Sequence, residues 1–78
     1  MSMATVDVTV DARGMNCPMP IVKTAQQMKT ITSGQLVEVL ATDPGSLKDF
    51  TAWTRSTGNT LVEQTLENGV FHFIIRRA

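Results

Sequence analysis

Cys17 is the only cysteine in the chain, and it stands in the run Cys17-Pro18-Met19-Pro20. The loop Asp11-Ala12-Arg13-Gly14-Met15-Asn16 precedes it, and the residues after it read as a helix. At a helix start the backbone N–H groups point outward and partial positive charge gathers. A thiol placed there is expected to ionise more readily, and the thiolate is the form that attacks and carries sulfur. Arg13 and Lys23 are near enough in sequence to add positive field. Pro18 and Pro20 stiffen the backbone and present the sulfur outward.

The other residues narrow the chemistry. No second cysteine can resolve an oxidised form, so a dithiol redox site is excluded. The single histidine, His72, falls in the middle of a C-terminal strand pattern and reads as a sheet-face residue rather than a base for Cys17. One cysteine and one histidine do not make a zinc site without help. No cofactor or metal is expected. What remains is a thiol that accepts a group and hands it on.

The elements that would hold this thiol follow from periodicity. Thr5 to Val10 alternates, with Val6, Val8 and Val10 on one face, as a half-buried strand does. Asp11 to Asn16 is expected as the loop that breaks it, with Gly14 free to take a positive φ. Pro18 suits the first helical position, and Ile21, Val22, Ala25 and Met28 recur as an apolar stripe opposite Lys23, Gln26, Gln27 and Lys29. Gly34 is expected to stop this region. Gln35 to Thr42 reads as a second strand with Val37, Val39 and Ala41 on one face. Asp43 and Pro44 open a second helix as its cap and first residue, with Leu47, Phe50 and Trp53 or Thr54 on the inner side and Lys48 and Asp49 exposed. Thr60 to Glu67 and Val70 to Arg77 flank Asn68-Gly69, a strong hairpin signal.

The order is βαβαββ. The fold class is α/β, more narrowly an α+β two-layer sandwich. A four-stranded mixed sheet carries two helices on one face. Seventy-eight residues make one small domain over residues 1–78. Seven basic and seven acidic side chains cancel, so charge gives no case for nucleic acid or a membrane surface. No apolar run reaches membrane-spanning length, and a lone free cysteine fits a reducing compartment. A cytoplasmic monomer is expected, with Leu36, Leu40 and Ile74 on an exposed sheet face available for transient pairing.

The run Asp11-Ala12-Arg13-Gly14-Met15-Asn16-Cys17-Pro18-Met19-Pro20, followed by Lys23, resembles the signature of the TusA/SirA family of sulfur carriers. Leu36 to Phe50, with its Asp43-Pro44 helix start, is similar to that family's second strand and second helix. The resemblance implies a sandwich like the C-terminal domain of translation initiation factor 3. It implies that Cys17 holds a persulfide, with Arg13, Gly14, Pro18 and Pro20 supporting the loop and helix start. It further implies a protein donor, a cysteine desulfurase or rhodanese, and a downstream acceptor protein. The pathways implied are transfer-RNA thiolation, molybdenum-cofactor synthesis and bacterial sulfur oxidation. Many members carry a second cysteine in the second helix, near the position of Trp53, and its absence argues against a disulfide cycle.

Met15, Met19 and Lys23 are candidate partner contacts beside the thiol. The expected function is that of a sulfur carrier, a sulfurtransferase acting through a covalent persulfide rather than an enzyme with its own substrate pocket. The alternative is a regulatory or RNA-associated binding module of the same fold, in which Cys17 is structural.

Overall fold

The computed structural model describes residues 6–78. The elements are β1 (Val8–Ala12), α1 (Met19–Met28), β2 (Leu36–Ala41), α2 (Ser46–Thr57), β3 (Thr60–Glu67) and β4 (Val70–Arg76). They form one mixed four-stranded sheet in the order β1-β2-β4-β3. β1 runs parallel to β2, and β4 pairs antiparallel with both β2 and β3.

The register explains the core. Val8, Val10 and Ala12 sit opposite Val37, Val39 and Ala41, which in turn face Ile75, Phe73 and Phe71. Strand side chains alternate between faces, so these residues all point to one side. That side is closed by Met28 of α1, by Ile31 just beyond it and by Phe50 of α2. Phe50 and Phe73 are fully buried, with ring centroids 4.8 Å apart in a stacked arrangement. The two-layer α+β architecture is therefore the expected one.

Several local expectations are corrected. Among the described residues β1 starts at Val8, after Val6 and Asp7, and it continues through Asp11 and Ala12 instead of breaking there. Parallel pairing carries it on to the Ala12–Ala41 partnership, where both alanines are wholly buried. Thr5, the expected first residue, lies outside the described residues.

α1 turns a slightly different face inward. Pro20, Thr24 and Met28 are buried while Val22 is exposed. Thr24 can be buried because its hydroxyl donates to the Pro20 carbonyl at 2.8 Å, which satisfies the polar group within the helix. The helix stops at Met28, and Gly34 instead serves the later turn, with φ 88° and its N–H bonded to the Arg77 carbonyl at 2.9 Å.

α2 begins at Ser46 with Gly45 at its N-cap, not with Asp43 as cap. Leu47, expected on the inner stripe, is largely exposed, whereas Phe50 and Thr54 are buried and Trp53 is half-buried. Gly58 ends the helix in the left-handed conformation, φ 78°.

Ile74 is buried rather than displayed on the open sheet face. Glu38 and Glu63 face it in register and cover it. Asn68 and Gly69 join β3 to β4 with φ values of 53° and 77°, as the primed hairpin turn requires.

This topology decides where the site lies. β1 and β2 are adjacent and parallel, so their C-terminal ends fall at one end of the sheet. Each leads into a helix, so the N-terminal ends of α1 and α2 and the loops before them stand side by side there.

Candidate functional site

The loop that carries Cys17 is built by short backbone bonds. Gly14 takes φ 78°, and its N–H donates to the Thr42 hydroxyl at 2.9 Å, which ties the loop to the end of β2. Met15 N–H returns to the Ala12 carbonyl at 3.2 Å and Met19 N–H to the Asn16 carbonyl at 2.9 Å. Cys17 is exposed within the second of these turns. The Cys17–Pro18 peptide is cis. Pro18 lies one residue ahead of the helix rather than at its first position, and Pro20 is the proline inside the first turn. Both placements keep a missing N–H where no helical partner waits for it.

The electrostatics of the thiol reverse the expectation. Arg13 does not face Cys17. Its guanidinium grips the Asp11 carboxylate through two 2.9 Å bonds, Nε to Oδ1 and NH2 to Oδ2. That contact lowers the Asp11 pKa to about 2, the side-chain hydrogen bonds from Arg13 being the main cause. Lys23 also turns to Asp11, donating from Nζ to its carbonyl at 2.9 Å. Two cations expected beside the sulfur are thus spent on one residue of β1.

The neighbours of Cys17 are acidic instead. Its backbone N–H donates to Oδ2 of Asp43 at 3.3 Å. Asp49 lies in the first turn of α2, and its Oδ2 and that of Asp43 both approach Gly45. The Asp49 carboxylate pushes the Cys17 pKa above the ordinary thiol value, with desolvation and the charge of Asp43 acting in the same direction. This shift runs opposite to the one expected from the helix start.

Asp43 and Asp49 were each legible only as surface groups. Asp43 was expected to cap α2, but its carbonyl takes the Ser46 N–H at 3.0 Å while its side chain crosses to Cys17. Asp49 was expected on the outer side of α2 and is half-buried. The signal for both lay in the topology: parallel adjacent strands bring the start of α2 against the Cys17 loop.

Met19 and Val22 are exposed, at 49% and 39%, and Met15 is half-buried. They lie close to Cys17 in sequence, and Val22 adds exposed apolar surface to the two methionines singled out from sequence. His72 pairs with Leu40 and Thr65 on the face opposite the helices, 3.8 Å from Glu38. It faces away from the Cys17 site, as a sheet-face residue.

Hollows of the surface lie elsewhere. One of about 530 Å³ follows α2 between Pro44, Leu47, Lys48 and Arg55, and one of about 170 Å³ lies between Leu47, Leu66 and Phe71. Cys17 lines neither. Among the described residues no helix is long and apolar enough to cross a membrane.

Comparison with known proteins agrees with this geometry. The family model described as sulfurtransferase TusA matches residues 8–77. The sulfur carrier protein TusA of Allochromatium vinosum is 47% identical over 76 residues, covering 97% of this chain and all of that one. The crystal structure of a SirA-like protein from Desulfitobacterium hafniense superposes with a TM-score of 0.79 at 25% identity, over 88% of this chain and 95% of its own. A sulfur carrier works between a protein that supplies sulfur and one that receives it. The chain belongs to the TusA family of sulfur carrier proteins.

Proposed function

We propose that Cys17 accepts sulfane sulfur from a donor protein, holds it as a persulfide and passes it to an acceptor protein. The observation that carries this reading is the exposure of the only cysteine at the end of the sheet where both helices begin. A thiol in a deep pocket could not meet two successive protein partners.

The chemistry is two exchanges. In loading, the Cys17 thiolate attacks the outer sulfur of a donor persulfide. A sulfur–sulfur bond to Cys17 forms as the donor's own sulfur–sulfur bond breaks, and the donor cysteine leaves as thiolate. In delivery, an acceptor thiolate attacks that outer sulfur and Cys17 leaves as thiolate. A persulfide is more acidic than a thiol, so the loaded form is anionic at neutral pH. No oxidant is consumed in either step.

The donor is a cysteine desulfurase or a rhodanese, and the acceptor belongs to transfer-RNA thiolation, molybdenum-cofactor synthesis or sulfur oxidation. Residues 1–78 act as one carrier unit, a cytoplasmic monomer without direct contact to nucleic acid. The zero net charge supports the last point. Arg13, Gly14, Pro18 and Pro20 serve by holding the loop, and Met15, Met19 and Lys23 border the surface a partner covers.

The test uses a cysteine desulfurase fed with sulfur-labelled cysteine. Label should move onto the chain and be released by dithiothreitol. A chain that stays unlabelled with active desulfurases and rhodaneses alike would contradict the proposal.

A further inference from the structure

An apolar trough flanked by two cations runs along the outer side of α2. Pro44, Leu47, Lys48, Thr51, Ala52 and Arg55 recur at helical spacing and line its first part, the hollow of about 530 Å³. Leu47 also lines the hollow of about 170 Å³, where α2 meets Leu66 of β3 and Phe71 of β4, so the two hollows adjoin. Large apolar side chains stand open to solvent there: Leu47 is 41% exposed and Leu66 62%. The Thr51 hydroxyl donates to the Leu47 carbonyl at 2.7 Å, so its polar group is satisfied within the helix. Lys48 and Arg55 are exposed and stand two turns of α2 apart, about 10 Å along its axis. Among the described residues the ion pairs are Arg13–Asp11 and His72–Glu38, so neither of these cations is paired. No carboxylate lines either hollow. One end of the trough meets the sulfur site, because Pro44 follows Asp43, whose carboxylate holds the Cys17 amide.

We propose that this trough seats an acidic amphipathic helix of a protein that exchanges sulfur with Cys17, its apolar stripe over Leu47, Ala52 and Leu66 and its carboxylates, two turns apart, on Lys48 and Arg55. The inference rests on the carrier reading for what the partner does and deepens it by naming how the partner is recognised. Burial of the exposed leucines supplies affinity, and the cations select the partner's charge. A second copy of this chain does not fit, because α1 has no carboxylate and α2 has only Asp49. A nucleic-acid strand would meet the cations through its phosphates and leave the apolar floor unmatched. Cys17 lines neither hollow, so the sulfur stays open for exchange while the partner is held beside it.

The test titrates the intact, isotope-labelled protein in NMR with a capped alanine-based helical peptide that carries a leucine stripe between glutamates two turns apart. Its counterpart has lysine in place of each glutamate. The glutamate peptide should move the amide signals of Leu47, Lys48, Thr51, Ala52, Arg55 and Leu66. It should bind severalfold more tightly than the lysine peptide, and added salt should erode the difference. The double variant Lys48→Glu, Arg55→Glu should reverse the preference. Both positions are exposed, so its thermal midpoint should stay near that of the wild type.

Equal affinity of the wild type for the two peptides would overturn the proposal, a result that needs no variant to fold. So would signals that move only on other faces, signals that do not move at millimolar peptide, or an unreversed preference in a folded double variant. A uridine oligonucleotide that displaces the glutamate peptide from the trough would overturn it in favour of a nucleic-acid face. These readouts require no sulfur donor. A chain that prefers the glutamate peptide but never loads sulfur would refute the carrier reading and leave the trough standing. Normal loading with equal peptide affinities would refute the trough alone.

Discussion

The backbone N–H of Cys17 donates to the Asp43 carboxylate at 3.3 Å, across 26 positions of sequence. This bond joins the loop after β1 to the loop after β2 and fixes the height at which the sulfur is carried. Replacing Asp43 by Ala removes the acceptor from an exposed bond. The expected cost is about 1 kcal/mol, read as a fall in denaturant midpoint, with faster hydrogen exchange at the Cys17 amide. Unchanged exchange at that amide would show that the bond does not hold the loop.

Asp11 and Arg13 make a second, separable prediction. The Arg13 guanidinium lowers the Asp11 pKa from 3.8 to about 2. A carboxylate whose folded pKa lies below its unfolded value stabilises the fold above the unfolded value, and that contribution fades as pH falls through the folded one. The window is therefore between about pH 4 and pH 2. Both side chains are more than half exposed, so the effect on stability is small. Carboxyl titration by NMR should find Asp11 ionised well below pH 3.8 in the wild type and close to that value in Arg13→Ala.

Met19 and Val22, in α1 shortly after Cys17, expose apolar surface. A charged substitution there leaves the fold intact but cannot be desolvated under a partner. Met19→Glu and Val22→Glu should slow loading by a protein donor while loading by inorganic polysulfide stays near the wild-type rate. Equal slowing with both sulfur sources would mean that the residues act on Cys17 and not on the partner.

Phe50 tests the frame rather than the site. It is fully buried, stacked on Phe73 and packed against the edge of Trp53, and it anchors α2 to the sheet. Phe50→Ala should destabilise the protein by about 3–5 kcal/mol in equilibrium unfolding. A loss below about 1 kcal/mol would contradict the packing described.

Much of this frame was legible in the sequence because its periodicity is simple. The alternation of Val37, Val39 and Ala41 set the buried face of β2, and Asn68-Gly69 set the hairpin. Cys17 stood out by type and place. Less legible was whatever depended on how two elements meet. The inward turn of Thr24 relied on a hydroxyl bonded within its own helix. Arg13 and Lys23 read as a positive field for Cys17, but Asp11 lies closer in space and takes both. Asp43 and Asp49 read as a cap and a surface charge because nothing local reveals that the start of α2 packs beside the Cys17 loop. Proximity in sequence suggested cations beside the sulfur, whereas the parallel pairing of β1 with β2 brings the Asp43 carboxylate to the Cys17 loop.

The central claim is that this chain carries sulfur on Cys17, and intact mass reads it most directly. The protein is incubated with a cysteine desulfurase and cysteine, separated without reductant and weighed beside Cys17→Ser treated identically. The account predicts one added sulfur atom on the wild type, removed by dithiothreitol, and none on Cys17→Ser. An unchanged wild-type mass with several competent donors, or the same added mass on Cys17→Ser, would contradict it.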